Sequence, residues 1–504
     1  MLRIRRVLIS AWDKRGLIEF SKRLKNLNIE IISTGKTASL LRKSGINVET
    51  INSITSFPEF LSGRVKTLHP RIFGGILSNK KNPLHLEELR TLGITPIDMV
   101  VVNFYPFEKM LKEKMSFDQM MEYIDIGGPA MLRAGAKNFK NVACISSFTQ
   151  YKRVIEELEK NKGALSEETL KEFAREVFFL TKDYDMHIYS FLKGTDVLTW
   201  NMEKIINLRY GENPHQKASL YSLLNAQTLP FHQLQGKPLS FNNFFDLDAA
   251  FNLVRDFNEP ASVIVKHASP CGVAVDKKLF RAFANAYKSD PISSFGAIVG
   301  LNRKVDGKTT REIIKSGFKE CIIAPDYSKE AIKLFSAKKN LRLLAVNFTK
   351  CSSYMDVKKT TFGYLFQDND EIVLGKEGVK IVSKRKPTDK ELSNLIFAWK
   401  VVKFVKSNAI VIVKNNRTLG IGGGQPSRVG AVELAVKKFS KSTKGTVLAS
   451  DGFFPKPDSI KLMKKYGIKA VIQPGGSIKD KEIIDLCNKF KISMVFTHIR
   501  HFRH

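Results

Sequence analysis

Short apolar runs alternate with amphipathic stretches along the chain, the rhythm of strands and helices in an α/β protein whose sheet is covered on both faces. Near the start the pattern predicts a strand from Val7 to Ser10, a helix from Leu17, a strand from Ile29 to Ser33 and a helix from Thr37. A strand from Met99 to Asn103, a helix from Pro129 and a strand from Val142 to Ser146 follow. Residues Tyr151 to about Asp183 contain no proline and only Gly163, which predicts helix throughout. The rhythm then resumes. A strand from Ser262 to Val265 ends in Lys266 and His267 before a turn predicted on Ser269, Pro270 and Gly272. Further strands are predicted at Ile298 to Leu301, 321–325, Ala409 to Val413, Val447 to Ser450, Ala470 to Gln473 and Ile492 to Thr497. An Asn415-Asn416 turn and a helix running through Phe439 lie among them.

A chain of 504 residues exceeds what one hydrophobic core usually supports, so two to four domains are expected. The first boundary is predicted at Lys193 to Asp196, and a second near residue 390. One subdomain type could occur twice in the C-terminal part, although no clear sequence period marks it. Apolar runs fall far short of the roughly 20 residues that span a bilayer. The basic start lacks the apolar core of a signal peptide, so the chain is read as cytoplasmic. Its five cysteines (Cys144, Cys271, Cys321, Cys351 and Cys487) are scattered without a CxxC pair, against both a zinc site and a disulfide framework. The formal charge of +33 invites a nucleic-acid partner. Against that, the lysines are dispersed and no nucleic-acid-binding motif is present, so solvated faces and small anionic substrates account for them better.

Candidate chemistry gathers at strand ends. Lys266 and His267 deliver a cation and a base where open α/β sheets bind ligands, and the ammonium favours a neutral imidazole able to accept a proton. STGKT at 33–37 resembles the end of a phosphate-binding loop but lacks the required upstream glycine, having Glu30, so an NTPase is rejected. A strand-to-helix turn able to hold an anion remains. GRVKTLHPRIFGGIL at 63–77 gathers Arg64, Lys66, Thr67, His69 and Arg71, a suitable charge for a phosphate. VVNFYPF at 101–107 ends a strand with Asn103 and Tyr105, and IDIGGPAMLRAGAKN at 124–138 sets Asp125, Gly127 and Gly128 before a helix that carries Lys137. The glycine run at 422–424 does not fit GxGxxG, so no dinucleotide fold is read there.

The ordered set GRVKTLHP, NFYPF, IDIGG, AGAKN, RYGENPHQ (209–216), KHASPCG, SNAIV, GQPSR, SDGFFP, QPGGS and RHFRH (500–504) resembles the bifunctional purine biosynthesis family. That family joins phosphoribosylaminoimidazolecarboxamide formyltransferase to IMP cyclohydrolase. The resemblance implies a methylglyoxal-synthase-like cyclohydrolase domain over residues 1–198. It further implies a formyltransferase region over 199–504 built of two cytidine-deaminase-like subdomains. A homodimer is implied, with transferase sites built between chains. Formyl-tetrahydrofolate is the implied co-substrate, no metal is required, and neither nucleic acid nor membrane is a partner.

Residue by residue, the resemblance implies His267 as general base, Lys266 at the oxyanion and Asn408 orienting the substrate amide. Arg209, Tyr210 and Arg500 would hold the nucleotide, Phe453 and Phe502 would pack on the heterocycles, and Asp458 would meet the folate ring. For cyclisation it implies Lys66, Tyr105, Asp125 and Lys137 as catalytic. Ser10, Lys14, Ser33, Thr34, Gly35, Arg64 and Thr67 would hold the phosphate, with Asn103, Gly127 and Gly128 also binding substrate. Trp12 and Lys36 stand where the family commonly has a small hydroxyl residue and a glycine. Those two prompt the alternative of a formyltransferase with an inactive N-terminal half.

Overall fold

The computed structural model describes the chain except residues 62–63, 196, 225–230, 349–354 and 439–444. Gly63, Asp196, Cys351 and Phe439, which figure in the sequence reading, lie outside the described residues. The chain divides into two compact units, Met1–Trp200 and Asn201–His504.

In the first unit, five parallel strands lie side by side in the order Glu49–Thr50, Glu30–Ser33, Arg6–Ala11, Met99–Asn103, Ala143–Ile145. Successive residues of each strand enter opposite cores. Val7, Ile9, Ile31, Met99, Val101 and Ile145 pack on one face, and Leu8, Ile32, Val100, Val102 and Cys144 on the other. Burial on both faces explains the continuous apolar runs and makes these strands legible in the sequence. The stretch expected to be helical from Tyr151 is broken. Helix Tyr151–Lys160 stops at Lys162 and Gly163, both at positive φ (52° and 89°). Strand Ala164–Leu165 then pairs with Leu2–Arg3 before helix Glu167–Lys193 begins behind its Ser166 cap. A single glycine able to turn left-handed outweighed the helical pattern around it.

The second unit is built on a twelve-stranded sheet, and this sheet is a duplication. Strands Ala261–Lys266 and Ser269–Val275 form one hairpin, Ile410–Lys414 and Arg417–Gly422 another, and the hairpins meet where Ala274 pairs antiparallel with Arg417. From that seam each half runs outward through three parallel strands to an antiparallel edge strand, Phe231–Gln235 in one half and Lys380–Ile381 in the other. Each hairpin follows a helix, Phe241–Arg255 or Asp389–Val402, that opens with a capping box. Counterparts keep a constant offset of 148 residues, from Ser240 to Thr388 and from Lys266 to Lys414. The register shift recurs at the same offset, between Ile264 and Val265 and again between Ile412 and Val413. The run VIVK is identical at 263–266 and 411–414. A repeat without visible period at the level of sequence is thus explicit in pairing and register. The two long helices share one core face with both halves of the sheet, while each half has its own core on the opposite face.

The turn expected on Ser269, Pro270 and Gly272 is instead strand. The chain reverses in two residues, His267 and Ala268, both at φ 54°. Its counterpart is Asn415-Asn416 at 53° and 54°. A two-residue hairpin loop matching strand twist needs two positive φ values, which an Asn-Asn pair adopts readily and alanine does not. That demand was unreadable from a His-Ala pair.

Candidate active site

In the first unit a cradle forms where strands Arg6–Ala11 and Glu30–Ser33 end together, Ile9 lying beside Ser33. The Thr34 hydroxyl donates to Ser10 Oγ at 3.0 Å, and helix Gly35–Lys43 starts at once with no side chain capping it. Its first-turn N–H groups are left for an anion. Lys14 turns its ammonium over the strand end, donating to the carbonyls of Ala11 (2.9 Å) and Trp12 (3.4 Å). Burial, and then the charge of Lys36, hold that ammonium below its usual range. Lys66 Nζ pairs with Glu59 Oε1 at 2.9 Å, and a Cβ on Gly35 would lie 3.9 Å from Lys66 Nζ.

Asp125 reaches the same place from the other side. Its Oδ1 accepts the Gly128 N–H at 2.9 Å, while its own N–H donates to Tyr184 Oη at 2.8 Å. The Tyr184 hydroxyl donates onward to the Tyr123 carbonyl at 3.0 Å. Two glycines are needed here. A Cβ on Gly128 would sit 2.8 Å from Asp125 Oδ2, and one on Gly127 would sit 2.9 Å from the Thr67 hydroxyl. Burial lifts the Asp125 carboxyl above its ordinary range, against the Gly128 N–H and the charge of Lys66. Tyr105, partly exposed, stands edge-on to both Trp12 (6.5 Å between centroids) and Tyr123 (5.9 Å). Ser10, Lys14, Thr34, Gly35, Lys66, Thr67, Asp125, Gly127 and Gly128 thus line the strand-end cradle, with Tyr105 at its edge.

Other expected residues are committed elsewhere. The buried Ser33 hydroxyl donates to the Ile9 carbonyl at 2.9 Å. Asn103 clasps the backbone of Asp13, accepting its N–H at 2.7 Å and donating to its carbonyl at 3.1 Å. These bonds hold the loop that bears Lys14. Exposed Arg64 pairs with exposed Glu122. Lys137 ends the helix that Gly127 begins, about 15 Å along its axis, and is exposed there. Within this chain Lys137 is not brought to Asp125. The sequence reading missed Tyr184, whose hydroxyl orients Asp125, because nothing in the sequence links positions so far apart.

The sign of the Asp125 shift gives a prediction. A carboxyl whose folded pKa is raised favours folding while protonated, and that contribution is lost as pH rises through its folded pKa. At pH 7 the carboxylate therefore costs stability, so Asp125→Asn is expected to melt above the parent chain at pH 7. Thermal melts at pH 7 check this, and a lower melting temperature would refute the burial account.

In the second unit the Lys266-His267 tip is held from two directions. Lys266 Nζ donates to the Phe295 carbonyl at 2.8 Å, and Asp246 of helix Phe241–Arg255 accepts the Ala268 N–H at 2.5 Å. One turn earlier on that helix, Asn242 Nδ2 donates to the Glu212 carbonyl at 3.1 Å, tying the Arg209-to-Gln216 loop beside the tip. Arg209 lies over the ring of Tyr210 in this loop.

The hairpin register carries the start of strand Ile410–Lys414 to the same end of the sheet as the His267 turn, roughly 12 Å away across the intervening strands. Asn408 sits there, its Nδ2 donating to the carbonyls of Gln425 (2.8 Å) and Pro426 (3.2 Å), so its amide oxygen is what it offers a ligand. The C-terminal segment docks beside it. Ser407 N–H donates to the Arg503 carbonyl at 2.9 Å and Arg503 N–H returns to Ser407 Oγ at 3.2 Å. His501 is buried against Trp399, and its Nδ1 lies 2.5 Å from Asp370 Oδ2. Arg500 lies 4.3 Å over the ring of Phe502. Phe502 closes on Gly452, next to Phe453. Asn408, Phe453, Arg500 and Phe502 are thereby gathered. Beneath them a buried Arg428–Asp451 ion pair, which the sequence reading did not single out, also takes the Ser407 hydroxyl and the Ala409 N–H. Asp458 opens helix Asp458–Lys465, its Oδ1 accepting the Ser459 N–H at 2.7 Å. Among the described residues no group of His, Cys, Asp and Glu could hold a metal ion.

A strand-end cradle in one unit, and a Lys-His hairpin tip at the same sheet end as Asn408 in the other, mark two candidate sites on an α/β protein. Residues 16–130 match the MGS-like domain and residues 135–438 the AICARFT/IMPCHase bienzyme model. Proteins named bifunctional purine biosynthesis protein PurH align with 99% of the chain. Those of Caldicellulosiruptor saccharolyticus (49% identical, 100% of its length), Thermoanaerobacter sp. (48%, 100%) and Bacillus cereus (46%, 99%) are examples. The chain belongs to the AICARFT/IMPCHase bienzyme family.

Proposed function

We propose that the two units divide the two final steps of IMP synthesis between them. In unit Asn201–His504, His267 takes a proton from the 5-amino group of the aminoimidazole carboxamide ribonucleotide as that nitrogen attacks the formyl carbon of formyl-tetrahydrofolate. Lys266 stabilises the oxyanion that develops, and the C–N bond to the folate then breaks. Asn408 orients the carboxamide, Arg209, Tyr210 and Arg500 hold the nucleotide, Phe453 and Phe502 face the heterocycles, and Asp458 meets the folate ring. The observation that carries this reading is the tip itself. A histidine and an alanine are forced into left-handed backbone, with a lysine beside them, at the same sheet end as Asn408 and the docked C-terminus. Strain of this kind costs of order 1–3 kcal/mol per residue and persists where function demands it.

In unit Met1–Trp200 the formylated product closes on itself. Its carboxamide nitrogen attacks the formyl carbon and water leaves, with the phosphate held at Ser10, Lys14, Thr34, Gly35 and Thr67. Lys66 and Tyr105 serve the oxyanion, and Asp125 accepts the amide proton. Holding nucleophile and electrophile in one molecule supplies much of the rate, so positioning groups suffice without a metal.

The enzyme works as a homodimer in the cytoplasm. A hairpin of strands Asp356–Thr360 and Gly363–Gln367 presents Phe362 fully exposed, with Tyr364 and Leu365 each more than 60% exposed, an apolar surface that a second copy would cover. The described cysteines are all buried and unpaired, as in a reducing compartment, and no described helix is long and apolar enough to cross a membrane. The test is formation of IMP from the carboxamide ribonucleotide and formyl-tetrahydrofolate, with molar mass followed by light scattering. Phe362→Asp is expected to yield monomer and to lose formyl transfer. A fully active monomer would refute the dimeric site.

A further inference from the structure

We propose that Asp246 is a positioning residue for formyl transfer: its carboxylate holds the His267–Ala268 turn and supplies the negative charge that stabilises the imidazolium formed when His267 takes the amine proton. The inference rests on His267 acting as the base.

The duplication supplies the comparison. Asp246 and Asn394 are the sixth residues of their helices and stand at the constant offset of 148. Each binds the backbone at its hairpin tip. Asp246 Oδ1 accepts from Ala268 N–H at 2.5 Å, and Asn394 Oδ1 accepts from Asn416 N–H at 2.7 Å. An uncharged amide oxygen therefore suffices to hold a two-residue turn of this shape. The half that carries Lys-His has a carboxylate, and the half that carries Lys-Asn, with no base to assist, has an amide. Charge is thus what Asp246 adds beyond geometry.

Burial lifts the Asp246 carboxyl above its usual range, while the N–H groups of Ala268 and His267 and the charges of His267 and Lys266 pull the other way. The Asp246 carboxyl therefore lies within electrostatic reach of both the Lys266 and the His267 side chains. The charged groups around the tip are Lys266 on its own strand and Asp246 on the helix. Further in are Asp290, paired with Lys438, and Glu320, paired with Arg342. Asp246 is the carboxylate among them that carries no ion pair with a neighbouring Lys or Arg and bonds the tip directly.

A negative charge beside an imidazole favours its protonated form, so its removal should shift the acid limb of the pH–rate profile downwards and weaken the base. In the full chain, Asp246→Asn is expected to melt at or above the parent temperature at pH 7, because it removes a buried carboxylate whose folded pKa is raised, and to keep the cyclisation rate. Its formyl-transfer kcat should fall about tenfold or more, with KM for the nucleotide little changed and the acid limb displaced to lower pH by on the order of one unit. Wild-type kcat with an unmoved acid limb would overturn the proposal. So would a kcat loss with an unmoved limb and a lower melting temperature, which marks a purely structural role. His267→Ala, assayed alongside, separates the two readings. Full transfer in that variant would sink the base itself and Asp246 with it, whereas a dead His267→Ala beside a wild-type Asp246→Asn would sink only the role of Asp246.

Discussion

His267→Ala is expected to lower formyl transfer by about a hundredfold or more, while cyclisation of supplied formylated nucleotide continues at the parent rate. The acceptor is an aromatic amine whose lone pair is delocalised into the ring and carboxamide, so it attacks only as its proton is withdrawn. The imidazole occupies an exposed hairpin tip, and no described core residue depends on its side chain. Truncation therefore removes a base without opening a cavity, and the fold should survive. Lys266→Ala should give a loss of the same order, because the 2.8 Å bond from Nζ to the Phe295 carbonyl fixes the ammonium at the tip. Assays of the two half-reactions on each variant check this. Transfer near the parent rate in either variant would make the Lys-His tip a structural turn. The division into two compact units is the reason cyclisation should be indifferent to both changes.

The central strands Arg6–Ala11, Glu30–Ser33, Met99–Asn103, Ala261–Lys266, Ile298–Leu301, Ile410–Lys414 and Val447–Ser450 were legible because burial on both faces leaves each as a largely apolar run. Strands Arg342–Val346 and Arg417–Gly422 and the edge strands Phe231–Gln235 and Lys380–Ile381 were not predicted. Met99 to Asn103 and Val447 to Ser450 were bounded to the residue. Turn chemistry was legible only where the residues themselves prefer the required backbone. Asn415-Asn416 announced a hairpin, whereas His267-Ala268 did not, since its conformation is imposed by pairing on both sides and by Asp246. The recurrence of VIVK was a signal of duplication that could have been found. The helices before it match in burial pattern rather than identity, and this hid the period. Candidate residues in loops were readable by type, but their commitments were not. Asn103 spends its amide on Asp13 and Ser33 its hydroxyl on Ile9, contacts between strands that no linear spacing reveals. Asp246 looks like any solvated helix carboxylate until the hairpin folds over it.

Residues 1–200 expressed alone are expected to fold and to convert the formylated nucleotide to IMP without folate, while having no formyl-transfer activity. The fragment holds complete cores on both faces of its five-stranded sheet, and a third cluster in which Phe107 and Met120 pack with Tyr184 of the helix Glu167–Lys193. Every residue of the cradle lies within it, as does the Tyr184 hydroxyl that orients Asp125. A unit of this size can bury roughly 70% of the surface its unfolded chain exposes, enough for independent stability. Trp12 is the departure that most threatens activity. Its indole is about half exposed and stands edge-on to Tyr105, so it crowds the rim of the cradle and not the strand-end hydroxyls. Ser10, Lys14 and the first-turn N–H groups near Gly35 remain to hold the phosphate. Trp12→Ser should accordingly change KM more than kcat, since phosphate binding is alike in ground and transition states. Circular dichroism with a cyclisation assay on the fragment checks the expectation. A cooperatively folded fragment that forms no IMP, with Trp12→Ser and the full-length chain equally inactive, would show that this unit keeps the fold and has lost the reaction.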